Sequence, residues 1–168
     1  MSRNHDWLER MNTPAPNGES AGVVAPAPVF FVTASAVGAA LEWLHPSTLL
    51  AHPYARFVGA FLIAMSIVLV AAVLIQMARA KTSFDANKPT SALITSGVFR
   101  VCRNPTYLSL VLLQAGLAFA LQSLWLLLLA IPAVAVTHWG VVLREEQYLR
   151  RKFGAEYEQY TRRVRRWL

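Results

Sequence analysis

Cysteine is almost missing from this chain, and charge is missing from most of its length. The single thiol, Cys102, has no partner for an internal disulfide. Neither it nor the scattered histidines (His5, His45, His52, His138) falls into the clustered spacing of a zinc site, so no metal is expected. Only 15% of residues are charged, where a soluble domain carries roughly 25%. No glycine-rich strand–turn–helix fingerprint occurs, which sets aside a soluble Rossmann-type nucleotide-binding fold. Residues 1–27 lack the basic start and short apolar core of a signal peptide. They are polar and rich in Pro, Ala, Asn and Gly, and read as a disordered cytoplasmic tail.

What the chain has instead is apolar sequence in long blocks. Hydrophobic residues make up 55% of its 168 positions. A span needs roughly 17–25 residues, and four blocks come near that length: 28–44, 57–78, 105–121 and 124–143. The first is marginally short and ends in Glu42-Trp43, where an interfacial belt would sit. The turn Gln122-Ser123 is so short that the last two blocks must form a tight antiparallel hairpin. Pro132 marks a kink in the fourth block. The expectation is an all-α fold, a polytopic membrane helical bundle of about four transmembrane helices with a C-terminal amphipathic helix. It forms one domain over 28–168.

Charge sets the orientation. The loop 45–56 holds only Arg56 and the turn at 122–123 holds no basic residue. Loop 79–104 holds Arg79, Lys81, Lys88, Arg100 and Arg103, and eight Lys or Arg residues follow Leu143. Both termini and the 79–104 loop are therefore expected on the cytoplasmic side of an inner-membrane protein. The net charge of +7 could suggest nucleic acid. These cations flank apolar blocks, however, so anionic lipid headgroups are the expected partner and nucleic acid is not.

From the end of the fourth block onward, Val142, Glu146, Leu149, Phe153, Tyr157, Tyr160 and Val164 recur at steps of three and four. That spacing predicts an amphipathic helix over 144–166 lying on the membrane surface. Gly154 is a candidate bend, and Arg166 joins the arginines of the polar face, with no role expected beyond surface affinity. Glu146 breaks the pattern, because a carboxylate within an apolar stripe needs a partner.

Three polar elements converge at the hairpin's open end: the loop 91–100, the segment Arg103-Asn104-Pro105-Thr106-Tyr107, and Glu145-Glu146. Asn is a favoured N-cap and Pro a favoured first helical residue. A helix starting at Asn104-Pro105 offers free N–H groups and a positive dipole end to an anion, and Arg103 adds a fork-shaped donor. The plain structural alternatives are a capped helix with a snorkelling arginine and glutamates in surface salt bridges.

Taken in order, these pieces resemble the isoprenylcysteine carboxyl methyltransferases and the related phospholipid methyltransferases of membranes. The resemblance covers about 88–167. It rests on Leu93-Ile94-Thr95-Ser96-Gly97-Val98-Phe99, Arg103-Asn104-Pro105-Thr106-Tyr107, Glu145-Glu146-Gln147-Tyr148-Leu149, and Phe153-Gly154-Ala155-Glu156-Tyr157 with Tyr160. It implies S-adenosylmethionine as cofactor and a lipophilic substrate entering from the bilayer, with no oligomer required. By resemblance Ser91, Ala92, Leu93, Ile94, Phe99, Asn104, Tyr107 and Glu145 bind the cofactor, and Arg103 and Glu146 stand as catalytic candidates. Two positions depart from the family pattern. Asn104 replaces a histidine, and Val141 replaces an arginine that engages the substrate in the eukaryotic carboxyl methyltransferases. The expected function is a membrane methyltransferase of the isoprenylcysteine carboxyl type. The alternatives are a phospholipid N-methyltransferase and a non-catalytic scaffold of the same fold. A membrane sterol reductase using NADPH ranks below these, because such chains are much longer.

Overall fold

A computed structural model describes residues 22–47, 52–80 and 92–167. Among these residues there is no strand. Five α-helices are formed by the described residues: α1 (Ala27–Leu44), α2 (Ala55–Arg79), α3 (Pro105–Ala120), α4 (Leu124–Thr137) and α5 (Leu143–Arg163). A π-turn, His138–Val142, joins α4 to α5 without a break. The apolar span and the amphipathic segment that follows it are thus one helical run, Leu124–Arg163.

Among the described residues three helices are long and apolar enough to cross a membrane, and α3 is a shorter apolar one. At about 1.5 Å per residue, its 16 residues reach less than the roughly 30 Å hydrocarbon core. The fold is a helical membrane bundle.

α2 is apolar all round, and only Ala55, Gly59, Ser66 and Val73 are buried on it. Gly59, Ser66 and Val73 recur at steps of seven, which makes one narrow seam while the other faces stay open for lipid. That seam lies on α3, antiparallel to it. A Cβ added at Gly59 would stand 2.3 Å from the Ala120 nitrogen, and one at Gly116 would stand 2.9 Å from the Ile63 nitrogen. The backbones touch because no side chain intervenes, the usual basis of helix association in lipid. Ser66 Oγ donates to the Ser109 carbonyl at 2.7 Å in the same seam.

α3 lies between α2 and α4, and α1 packs chiefly on α4. Buried Gln114 ties α1, α3 and α4 together. It accepts from Ser35 Oγ at 2.6 Å and donates to the Leu126 carbonyl at 3.1 Å. At one end of the bundle, α3 turns into α4 through Gln122, whose φ of 54° is left-handed. At the other end stand the starts of α1 and α3, the end of α2, and α5.

The disordered tail expected over 1–27 lies outside the described residues as far as 21. From 22 onward the chain is packed: Val24 N donates to the Gly140 carbonyl at 3.4 Å, and Arg144 donates to the Gly22 carbonyl at 2.9 Å. Ala27 is buried with Tyr107, Val141 and Val142. The polar composition of the segment hid a few apolar residues that cover the π-turn.

Candidate active site

Helix geometry brings the site together. The hairpin starts and finishes at one end of the bundle, so the first turn of α3 faces the first turn of α5. Tyr107 hydroxyl donates to Glu145 Oε2 at 2.5 Å. One residue further on, Glu146 faces a different set of partners, because consecutive residues on a helix point about 100° apart. Arg166 holds it with two contacts, Nε to Oε1 at 2.9 Å and a second guanidinium nitrogen to Oε2 at 2.8 Å. Arg103 adds an ion pair at 3.5 Å, and Asn104 Nδ2 reaches Oε1 at a long 3.5 Å.

Arg166 arrives there because the C-terminal helix does not run straight. Gly154 has φ 50° and ψ −124°, a backbone state that favours glycine, and it breaks the helical geometry within α5. After Arg163 the chain is extended, and residues 164–167 double back as a strap. Arg103 N donates to the Arg165 carbonyl at 3.0 Å, and Cys102 Sγ and Asn104 Nδ2 both reach the Arg166 carbonyl at 3.4 Å. Trp167 packs on the Tyr107–Val141–Val142 cluster. The expectation that Arg166 serves only the membrane surface is thereby corrected: a buried acid in the apolar stripe drew one cation out of the arginine run.

Asn104 needs a correction too. It sits at the N-cap of α3 but makes no side-chain cap bond. Its amide is turned so that Nδ2 donates towards the Glu146 carboxylate and the Arg166 carbonyl, and in that orientation Oδ1 caps none of the N–H groups of its own helix.

The two neighbouring acids are tuned in opposite directions. Burial lifts the Glu145 carboxyl above the ordinary carboxylate range, and the adjacent Glu146 charge adds to the rise against the Tyr107 hydrogen bond. For Glu146, burial pushes upward as well, but the Arg166 hydrogen bonds and the charges of Arg103 and Arg166 outweigh it and hold the carboxyl low. Tyr157, buried beside Glu146 and Arg103, has its phenol pushed up to about 12, chiefly by burial. Acids pushed apart in this way are a recurrent mark of functional sites.

The other expected residues lie one layer away. Leu93 and Ile94 line an open cleft of about 510 Å³ with Gln76, Arg79, Ala80, Thr95 and Ser96. Leu93 and Phe99 also pack against the Tyr157–Tyr160–Val164 cluster, where Tyr160 hydroxyl donates to the Phe99 carbonyl at 2.6 Å. Ala92 is half-buried in that loop, and Ser91 lies outside the described residues. The structure thus joins Arg103 and Asn104 to Glu146, and Tyr107 to the adjacent Glu145, by direct contact. It connects Leu93 and Phe99 to them only through the tyrosines of α5.

Sequence reasoning missed Arg166, Trp167 and the segment that carries Val23 and Ala27. The signal for Arg166 was present, since Glu146 in an apolar stripe demanded a cation.

The family described as Phospholipid methyltransferase matches residues 54–156, more than half of the chain. The chain belongs to that family. The match runs from just before α2 to Glu156 in α5, so it contains Arg103, Asn104, Tyr107, Glu145 and Glu146 and leaves out α1 and the strap. An uncharacterized protein of Haemophilus influenzae is 40% identical over 62 residues, which cover 37% of this chain and 98% of that protein. No solved structure matches. Membership of this phospholipid methyltransferase family and the apolar helices together make the chain an integral membrane protein of a methyltransferase family.

Proposed function

We propose that this protein is an S-adenosylmethionine-dependent methyltransferase acting on a lipophilic acceptor that enters from the bilayer. The observation that carries the reading is the meeting of Arg103, Asn104, Tyr107 and the two glutamates at one end of the bundle. The basic loop 79–104 and the arginine-rich tail support a cytoplasmic location for that end.

The residues present fit the cofactor's charges. Arg103 and Arg166 share the single carboxylate of Glu146, which leaves one positive charge over. Arg103 Nε is buried and has no hydrogen-bond partner among the described residues. A carboxylate suits that guanidinium. Tyr107 is the hydrogen-bond partner of Glu145, and no cation pairs with Glu145 among the described residues. An ammonium or a ribose hydroxyl suits it. When bound, S-adenosylmethionine supplies a methyl group activated by a sulfonium. The ring face of Tyr107, beside Glu145, suits that cation. The chain's own task is to orient the two reactants and to exclude water.

The site bears on the acceptor as well. Val141 is buried at 1% exposure among Ala27, Tyr107 and Val142. That wall is apolar where a free carboxylate would need a cation. The packing favours an amine-bearing phospholipid over an isoprenylcysteine carboxylate.

Purified protein in detergent should gain thermal stability with S-adenosylmethionine, since a ligand specific to the folded state raises stability. Transfer of a labelled methyl group to total membrane lipid extract should then identify the product. Stabilisation without transfer would point to the non-catalytic scaffold, and no stabilisation at millimolar cofactor would sink the reading. NADPH in the same melt is expected to do nothing.

A further inference from the structure

The strap raises the question of why a site built on Arg103 needs a second arginine. Glu146 is 9% exposed at its side chain and faces both guanidiniums. Arg166 takes it in a two-point grip at 2.9 and 2.8 Å, whereas Arg103 stands off at 3.5 Å. Arg103 is kept close by: its backbone N–H donates to the Arg165 carbonyl at 3.0 Å, its side chain is 12% exposed and lies against the Tyr157 hydroxyl, and its Nε has no partner among the described residues. A guanidinium left half-engaged beside a carboxylate will close on it unless another cation satisfies that carboxylate first.

We infer that Arg166 is a positioning residue: by chelating Glu146 it keeps the Arg103 guanidinium free to receive the carboxylate of the methyl donor. The inference rests on the cofactor reading above and assigns to the strap a part in the site that the family match, which stops at 156, does not reach. Without Arg166, Glu146 would draw Arg103 into a two-point pair and withdraw it from the ligand. With Glu146 neutralised, Arg166 would have nothing left to do. The trapping acid and its guard therefore form a coupled pair, and their substitutions are non-additive.

The test is a cycle of full-length proteins in detergent, read as the dissociation constant for S-adenosylmethionine by calorimetry, with a melt of each unliganded protein to confirm folding. R166A should weaken binding by about tenfold, the scale of one charged hydrogen-bonded contact. R166K, which keeps the charge but not the fork, should fall between R166A and wild type. E146Q/R166A should bind as E146Q does, within about threefold, because tenfold already corresponds to 1.4 kcal/mol. That last comparison stands even if R166A alone fails to fold. Normal binding by R166A, or a further loss of tenfold on adding R166A to E146Q, would overturn the inference and leave the function reading intact. Absence of binding by the wild type would overturn the function reading and this inference with it.

Discussion

The two ends of the helical bundle solve the same problem with different chemistry. At the neutral end, the backbone and indole donors around the turns are met by neutral groups. Leu124 N donates to Ser47 Oγ at 2.9 Å, Trp125 Nε1 to the His45 carbonyl at 2.8 Å, and Gln122 Nε2 to the His52 carbonyl at 3.1 Å. The one acid there, Glu42, is spent on Ser47. At the charged end, two arginines and two glutamates crowd beside Tyr107, and their charges do not cancel within their contacts. Among the described residues Glu145 has no cation and Arg103 Nε has no hydrogen-bond partner. Stitching that only closes a bundle has no need of unspent charge, so the imbalance marks where a ligand is expected.

The sharpest break of that contrast is Glu145→Ala. It should weaken S-adenosylmethionine binding on the order of 100-fold, the scale of truncating a buried charged partner, while insertion in the membrane stays intact. Calorimetry on the purified variant checks this, and normal affinity would make Glu145 no more than a partner of Tyr107. Next comes the seam that holds both ends in register. Gly59→Ala would force a methyl group to within 2.3 Å of the Ala120 backbone and should cost about 1–3 kcal/mol, read as a lower melting temperature in detergent. An unchanged melt would mean that α2 and α3 can slide apart.

A smaller effect separates the two acids by pH. Glu146 is held low in the folded state, so its contribution to stability is present above the ordinary carboxylate range and is lost as pH falls through its folded value. The melting-temperature gap between wild type and Glu146→Gln should therefore shrink on acidification. Glu145 is lifted, so it has the opposite sign: its neutral form suits the fold, and ionising it as pH rises works against stability. A Glu146 gap that widens towards acid would reverse the assignment of the two carboxylates. The smallest effect belongs to the neutral end. Ser47→Ala should cost about 1 kcal/mol and leave cofactor affinity untouched; a loss of affinity there would end the distinction between the two ends.

The bundle was legible because its signals are long-range averages. Apolar length, the proline and glycine breaks and the two-residue turn at Gln122-Ser123 survive small local errors. The acids were legible for the opposite reason, since Glu146 violated its own helical stripe. What could not be read was direction. Asn104 carries every property of an N-cap, and only the nearby carboxylate turns its amide elsewhere. The four arginines between 162 and 166 look alike in one dimension, and the break at Gly154 selects Arg166 to face inward. The left-handed glycine was visible as a bend, but neither its angle nor the doubling back of residues 164–167 was.

The π-turn at His138–Val142 carries a consequence for how this architecture can change. One residue removed from that turn would rotate the whole of α5 by about 100° against α4. Glu146 would then stand opposite Tyr107, and the neutral Gln147 would fall into the grip of the arginines. A deletion of a single codon, with no side chain replaced, would thus reassign which acid serves the ligand and discharge the other position. Length in that turn, as much as residue identity, holds the site's chemistry in place.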